Sequence, residues 1–116
     1  MRVAIIGSRT LSPAVEDYLP PDTTLIVTGG ARGVDAAAER CARKRGIALL
    51  VLTPDYARYG RRAPLVRNEA VVRAADWVLA FWDGRSQGTA YTIRYAQSLG
   101  VPVEIVTADD DCLPLR

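Results

Sequence analysis

Three polar, glycine-containing segments of the sequence have the residue types that bind phosphate. They are Gly7-Ser8-Arg9, the segment Thr28–Asp35 and the segment Asp83–Thr89. Glycine lets the backbone turn sharply, and an anion can reach main-chain N–H groups because no Cβ stands in the way. A helix that begins at such a turn adds unpaired N–H groups and the positive end of its dipole. The sequence therefore predicts a phosphate cradle of backbone amides, strongest at Gly29–Gly33.

Charged and amide side chains surround these segments. Arg9 is a candidate clamp for a phosphate held on a neighbouring loop, because a guanidinium pairs well with phosphate oxygens. Asp35 lies in the first turn of a predicted helix, where it stabilises the N-terminus, accepts a hydrogen bond from a sugar hydroxyl or holds the loop closed. Arg67 and Asn68 begin another helix, from which they reach over the sheet edge or, for Arg67, face solvent. The predicted ligand-binding residues are Gly7, Ser8, Arg9, Gly29, Gly30, Ala31, Arg32, Gly33, Asp35, Arg67, Asn68, Trp82, Asp83, Gly84, Gly88 and Thr89.

Aromatic side chains leave two interpretations open. Trp82 stands beside Asp83-Gly84, so its indole either stacks on a base or ribose or packs in the core. Tyr91 and Tyr95 are four residues apart on a predicted helix, which indicates a packing stripe or a dimer contact. A homodimer or larger homo-oligomer is therefore expected.

The sequence contains no histidine, and this absence excludes several chemistries. Ser-His-Asp and Cys-His catalysis, zinc sites that use histidine and histidine pH switches all require that residue. Cys41 and Cys112 are interpreted as structural thiols rather than as redox or metal groups. No metal site is predicted.

The charge is nearly balanced, since 15 cationic residues face 13 acidic ones. The net charge of +2 is too small for a general nucleic-acid binder. Residues 53–67 are more basic, because Arg58, Arg61, Arg62 and Arg67 stand against Asp55 for a local net charge of +3. That cluster suits an anionic ligand. Apolar runs such as Ile47–Leu52 are far too short to span a membrane, so a cytoplasmic protein is expected.

Five apolar runs separated by helical patterns must position these residues. The predicted strands are Val3–Ile6, Thr24–Thr28, Ile47–Leu52, Trp77–Trp82 and Val101–Val106. Each run is nearly continuous, as in strands buried on both faces of a parallel sheet. The predicted helices are one opened by Ser12 and Pro13 and ending near Pro20, a second over Gly33–Arg45, a third over Pro64–Ala75, and a fourth capped by Thr89 and ended by Gly100. The pattern predicts an α/β fold, a Rossmann-like three-layer sandwich with a five-stranded parallel sheet and helices on both faces.

Taken together, these motifs resemble the SLOG superfamily of Rossmann-like domains. The residues that carry the resemblance are Gly7-Ser8-Arg9, the segment Gly29–Asp35, the pair Arg67-Asn68, the pair Ala75-Asp76 and the pair Gly88-Thr89. The chain is most similar to the small stand-alone bacterial members described as YspA-like or YpsA-related. The resemblance covers residues 1–106 as a nucleotide-binding domain, with 107–116 as a polar C-terminal tail. It implies a phosphate-bearing ligand, such as a nucleotide or an ADP-ribose-like molecule, on the loops at the strand ends.

The superfamily includes proteins with different activities, and the chain departs from the enzymatic pattern. LOG-type phosphoribohydrolases carry a catalytic glutamate three residues after the glycine-threonine pair, but here that position is Thr92. Asp83, Asp35 and Glu69 are the remaining candidates for a catalytic carboxylate. The leading hypothesis is therefore a nucleotide-binding domain. The alternatives are a nucleotide N-glycosidase, single-stranded DNA binding as in DNA-processing protein A, and a regulatory protein with a vestigial site.

Overall fold

The computed structural model describes residues 1–107, and its centre is a five-stranded parallel sheet. The strands are β1 (Arg2–Gly7), β2 (Leu25–Thr28), β3 (Ala48–Val51), β4 (Trp77–Trp82) and β5 (Val103–Thr107). Their order across the sheet is β3-β2-β1-β4-β5, and every neighbouring pair is parallel. The predicted Rossmann-like α/β fold is confirmed. The strand order reverses between β1 and β4, which is where open parallel sheets bind ligands.

Four α-helices connect these strands. They are α1 (Val34–Arg45), α2 (Tyr56–Tyr59), α3 (Ala63–Arg73) and α4 (Gln87–Ser98). The predicted helix over Gly33–Arg45 is confirmed, and Gly46 ends it in the left-handed conformation expected of a C-terminal glycine. Pro64 lies in the first turn of α3, where its missing N–H costs no hydrogen bond.

The helices cover both faces of the sheet. In β1, Val3 and Ile5 face α1, whereas Ala4 and Ile6 face α3 and α4. This alternation places apolar side chains on both sides, so the central strands read as nearly continuous apolar runs. The edge strands β3 and β5 are different, because most of their residues are only partly buried or are exposed. Leu50 in β3 and Ile105 in β5 are both exposed. The prediction of burial on both faces is therefore wrong for these two strands.

Two predicted helix starts are also wrong. The segment opened by Ser12 and Pro13 forms only a short 3-10 helix over Val15–Asp17, and no side chain caps it. Ser12 instead accepts a hydrogen bond from Arg40, and the prolines at 20 and 21 leave too little chain for a full helix. The cap of α4 is Ser86, whose hydroxyl accepts the Thr89 N–H at 3.3 Å.

The carboxyl end of the described chain belongs to the sheet. Thr107 pairs with Trp82 in β5, so this strand takes in the first residue of the predicted tail. The rest of that tail, with Asp109–Asp111 and Cys112, lies outside the described residues. Cys41 is buried on the apolar face of α1, as predicted. None of the helices within residues 1–107 is long and apolar enough to cross a membrane.

Gly33, a predicted ligand residue, has a structural role at the start of α1. Its φ is +75°, and a Cβ there would lie 2.6 Å from the Cα of Arg9. Gly46 at the other end of α1 has a similar φ of +67° with open space around it. The two positions differ in ψ as well as in packing, because Gly33 has a ψ of −123°, a conformation dominated by glycine, whereas Gly46 has a ψ of 30° in the left-handed region.

We expect Gly33→Ala to be clearly more destabilising than Gly46→Ala. The Gly46 variant carries only left-handed strain, which costs about 1–2 kcal/mol. The Gly33 variant combines a clash with the Arg9 backbone and a φ/ψ pair that favours glycine, so its loss should exceed about 3 kcal/mol. Urea unfolding of both variants measures the difference, and equal losses would contradict the proposed contact between the two loops.

Candidate functional site

A cavity of about 400 Å³ opens at the carboxyl edge of the sheet, where the strand order reverses. Its walls come from the loops after β1, β2 and β4 and from the first turns of α3 and α4. The three glycine-containing segments therefore lie at one place, as the parallel topology requires. The predicted residues that line it are Gly7, Ser8, Arg9, Gly29, Ala31, Asp35, Arg67, Asn68, Asp83, Gly88 and Thr89.

A second cavity of about 330 Å³ lies beside the first, over β2 and β3. The two share Arg9, Gly29, Ala31 and Arg67 as walls. The other walls of the second cavity are Gly30, Arg32, Thr53 and Pro54. Of the described residues, three arginines and no carboxylate line it, whereas the first cavity has Asp35 and Asp83 beside Arg9 and Arg67. The second cavity is therefore the more cationic.

Arg67 forms the wall between the two cavities. Its side chain leaves α3 and crosses to the loop after β2, where Nη1 donates to the Gly29 carbonyl at 2.5 Å. Nε donates to the Asn68 side-chain oxygen at 2.8 Å, and the residue is only 9% exposed. Burial lowers the pKa of this guanidinium and the charge of Asp35 opposes that shift, yet an arginine stays protonated. A Cβ on Gly29 would lie 2.8 Å from the guanidinium carbon, so any side chain there would displace the Arg67 guanidinium from its present position.

Asp35 holds the loop after β2 closed, which was one of its predicted roles. Its Oδ2 accepts the Ala31 N–H at 3.2 Å, and the residue is 8% exposed. Burial raises the pKa of this carboxyl, while the Ala31 amide and then the Arg67 charge lower it. The Thr28 hydroxyl is near enough to lower that pKa too, but it makes no well-formed hydrogen bond within residues 1–107. Asp35 is therefore a buried carboxylate at the base of the cavity.

Several amides expected to grip a phosphate are bonded to the protein itself. The Ser8 N–H donates to the Phe81 carbonyl at 3.2 Å, and the Ala31 N–H is taken by Asp35. At the start of α4 the side chains of Asp83 and Ser86 accept three more N–H groups, those of Arg85, Ser86 and Thr89. The expectation of free amides is wrong at these positions, because carboxylates and a hydroxyl from the same loops satisfy them. The guanidinium groups of the arginines are then the main cationic hydrogen-bond donors that the site can offer to an anion.

Asp83 organises its own loop. Its Oδ1 accepts the N–H groups of Arg85 and Ser86, each at 2.8 Å, and its N–H donates to the Ser8 Oγ at 3.3 Å. The Ser86 amide does most to lower the pKa of Asp83, and burial partly opposes it. A carboxylate stabilised in its charged form is a poor proton donor at neutral pH. The carboxylate therefore orders the loop after β4, and the main-chain N–H of Asp83 links that loop to the loop after β1.

Four predicted residues lie outside both cavities: Glu69, Trp82, Gly33 and Gly84. Glu69 accepts a hydrogen bond from the Tyr91 hydroxyl on α4 and pairs with Arg73. The indole Nε1 of Trp82 donates to the Ser86 carbonyl at 3.0 Å, and its ring packs beside the core. Neither the Glu69 nor the Trp82 side chain lines either cavity.

The predicted tyrosine stripe contacts α3 of the same chain. Tyr91 donates to Glu69, and the Tyr95 hydroxyl accepts a hydrogen bond from Arg73 at 2.8 Å. These contacts account for the spacing of the two tyrosines without a second subunit. The homo-oligomer remains a prediction.

Sequence reasoning missed several wall residues. In the first cavity they are Ile6, Thr10, Pro64, Leu65, Val71, Ser86 and Thr92, and in the second they are Thr53 and Pro54. Thr53 directly follows the predicted third strand, so its place at the strand end was a usable signal. Thr92 lies one turn after Gly88, whose carbonyl accepts its hydroxyl at 2.8 Å. Its position facing the sheet edge follows from helical spacing.

Comparison with known proteins gives one relative by sequence and one by structure. The chain is 41% identical over 119 aligned residues to the Gene 61 protein of Mycobacterium phage D29, covering 88% of this chain and 93% of the relative. It superposes with a TM-score of 0.72 and 24% identity on DNA processing protein A from Helicobacter pylori, whose structure was described for its single-stranded DNA binding mode. That match covers 90% of this chain and 64% of the other, so the chain spans less than two thirds of that protein. No family model matches.

The pKa shifts of Asp35 and Asp83 predict opposite effects of pH on stability. Because the pKa of Asp35 is raised by folding, its contribution is greatest at acidic pH and is lost as pH rises through that pKa. Relative to Asp35→Asn, the wild type should therefore lose stability on going up from pH 4, by at most about 1.4 kcal/mol per pH unit. Urea unfolding of both proteins at a series of pH values tests this.

Asp83→Asn is the matched comparison. The pKa of Asp83 is lowered, so its contribution is present above the ordinary aspartate pKa and is lost as pH falls through the lowered one. Relative to this variant, the wild type should gain stability as pH rises. If the free energy of unfolding of each variant changes with pH in the same way as that of the wild type, the pKa shifts assigned to Asp35 and Asp83 are contradicted.

Proposed function

The chain belongs to the family of the Gene 61 protein of Mycobacterium phage D29, and we propose that it binds a nucleotide or nucleotide-derived phosphate ligand. The observation that carries the proposal is the convergence of the loops after β1, β2 and β4 on one cavity at the reversal of strand order. Parallel α/β sheets bind their ligands at this place. The volume of about 400 Å³ is in the range of small-molecule sites.

The chemistry of the two cavities supports this ligand class. Hydroxyls of Ser8, Ser86 and Thr89, with the carboxylate of Asp35, offer partners for a sugar and for the polar edge of a base. The apolar floor of Ile6, Leu65 and Val71 suits the faces of a base. Within residues 1–107, the charged groups that line the second cavity are the guanidinium groups of Arg9, Arg32 and Arg67, which suit a phosphate. The proposal therefore places the sugar and base in the first cavity and the phosphate in the second.

Membership of the SLOG superfamily is part of the proposal. Its motif residues Gly7, Gly29, Arg67, Gly88 and Thr89 all line the first cavity, although they are far apart in the chain. The Rossmann-like fold agrees with that assignment. The cytoplasmic location and the homo-oligomeric state expected from the sequence are carried with it as predictions.

Single-stranded DNA is the second candidate ligand. DNA processing protein A, which shares the fold, is described as binding it. The cationic second cavity is compatible with a phosphate backbone as well as with a free nucleotide. The limited size of the first cavity favours a small ligand or a single nucleotide of a longer strand.

Cleavage of the ligand has less support than binding. An N-glycosidase needs a carboxylate beside the glycosidic bond. Glu69 lies outside the cavities, and Asp83 is held by the amides of its own loop. Asp35 reaches the first cavity, but its Oδ2 is occupied by the Ala31 amide. We therefore propose a binding protein.

Gly88→Ala separates ligand binding from folding. No other group of residues 1–107 lies within 4 Å of a Cβ at this helical position, apart from the backbone of α4 and the neighbouring residues, and the position lines the first cavity. We expect the variant to be as stable as the wild type or more stable by up to about 1 kcal/mol, because alanine favours helix. The added methyl group should weaken binding at least about tenfold, as measured by calorimetric titration with nucleoside 5′-monophosphates and ADP-ribose.

Gln97→Ala, at the exposed far end of α4, is the control and should bind as the wild type does. Unchanged affinity in Gly88→Ala would place the ligand elsewhere. Heat-silent titrations with every nucleotide tested would reject the proposed function itself.

Arg32→Ala tests the position of the phosphate. Arg32 lines only the second cavity, so its loss should weaken binding of a nucleoside monophosphate by about tenfold and reduce the salt dependence of binding. Binding of the corresponding nucleoside, which has no phosphate, should not change. Arg40→Ala is the matched control, because Arg40 is an exposed arginine of α1 that contacts Ser12. Equal effects of the two substitutions would contradict a phosphate at Arg32.

A further inference from the structure

The chain continues from the second cavity into an exposed segment that the proposed function does not use. Thr53 and Pro54 line that cavity, and the next residues form α2 and the 3-10 helix Gly60–Arg62. The segment has no buried residue. Its side chains therefore contribute nothing to the core.

Tyr56 is the most exposed large apolar side chain within residues 1–107, with 58% of its surface accessible. It lies two residues after Pro54, which lines the second cavity. Tyr56 is thus on the segment that continues directly from the wall of that cavity. An exposed ring beside a cationic pocket is a surface on which a base can stack.

Hydrogen bonds of Asp55 order the backbone that carries Tyr56. The Asp55 side chain accepts the Arg58 N–H at 3.1 Å, and the Tyr59 N–H donates to the Asp55 carbonyl at 3.0 Å. The exposed charges that follow Asp55 in this segment are all positive. They belong to Arg58, Arg61 and Arg62, and the Arg58 guanidinium lies 5.2 Å from the centre of the Tyr59 ring.

We propose that the ligand of this site contains two nucleosides joined by a phosphodiester, and that Tyr56 stacks on the second base. The inference rests on the proposed function, which puts the first sugar and base in the first cavity and the phosphate among Arg9, Arg32 and Arg67. Tyr56 then lies on the far side of the phosphate from the first nucleoside. The arginines at 58, 61 and 62 complement any further negative charge of the ligand.

This chemistry is found both in free dinucleotides and in single-stranded nucleic acid. Both present a phosphate with a nucleoside on each side, and stacking on an aromatic ring tolerates any base. Recognition by Tyr56 therefore requires the second base and is independent of its identity.

In the experiment, the full chain is titrated with ligands of increasing length. Calorimetric titrations use nucleoside 5′-monophosphates, dinucleoside monophosphates, and single-stranded oligonucleotides of four and twelve nucleotides. In the wild type and in Tyr56→Phe, the dinucleoside monophosphate should bind about 5- to 150-fold more tightly than the mononucleotide, the range expected for stacking of one base. In Tyr56→Ala this gain should disappear, while affinity for the mononucleotide and the melting temperature stay unchanged.

The outcomes separate the inference from the function on which it rests. Equal affinity for one and two nucleotides in the wild type, or a full gain in Tyr56→Ala, overturns the inference and leaves nucleotide binding in place. Absence of binding at every length overturns both. If the inference holds, a further increase from two to twelve nucleotides indicates a polymer ligand, and a constant affinity indicates a free dinucleotide.

Discussion

The buried guanidinium of Arg67 is the constraint on which the carboxyl edge of the sheet depends. A charged group at 9% exposure must be surrounded by acceptors, because an unpaired charge away from water is costly. Arg67 finds them in the Gly29 carbonyl and the Asn68 side chain, with the charge of Asp35 nearby. A side chain at residue 29 would push the guanidinium out of this position. One cation from α3 thus shapes the loop after β2 and divides the surface beside it into two cavities.

The hydrogen bonds within the loops decide how an anion can be recognised. Glycine-containing turns at strand ends suggest free amides, but Asp35, Asp83 and Ser86 already accept several of them. Among the arginines that line the second cavity, Arg67 is held in place by its hydrogen bonds to Gly29 and Asn68. A guanidinium fixed in this way loses less conformational freedom when it contacts an anion. The electrical difference between the two cavities follows from this arrangement.

Much of the fold was predictable from the sequence, because burial leaves a clear pattern. The runs at Val3 and Trp77 are nearly continuous, and they form the two strands beside the strand-order reversal. The glycine-containing segments follow the ends of β1, β2 and β4, so their convergence follows from parallel topology. The edge strands were misjudged, because a short apolar run looks the same whether one face or two are covered.

The details of the site were less predictable, because they depend on contacts between distant residues. Arg67 is 38 positions from the carbonyl that it binds, and no local pattern distinguishes it from a solvated arginine. The capping by Ser86 rather than Thr89 was a choice between two adjacent hydroxyl residues of similar propensity. The exposed position of Tyr56 could not be predicted either, because α2 spans only four residues and is too short to show a helical pattern.

The position of β1 has a consequence for how the protein forms. The first strand of the chain lies in the middle of the sheet and pairs with β4, in a register that joins Val3 to Trp77. Contacts of such long sequence separation slow folding, because much of the chain must be ordered before they form. During synthesis on the ribosome, the edge of β1 that pairs with β4 therefore has no partner strand until more than half of the polypeptide has emerged. A truncated product that ends before β4 would still contain the arginines of the second cavity. It would not hold them in place, because β1 would lack the strand with which it pairs on that side.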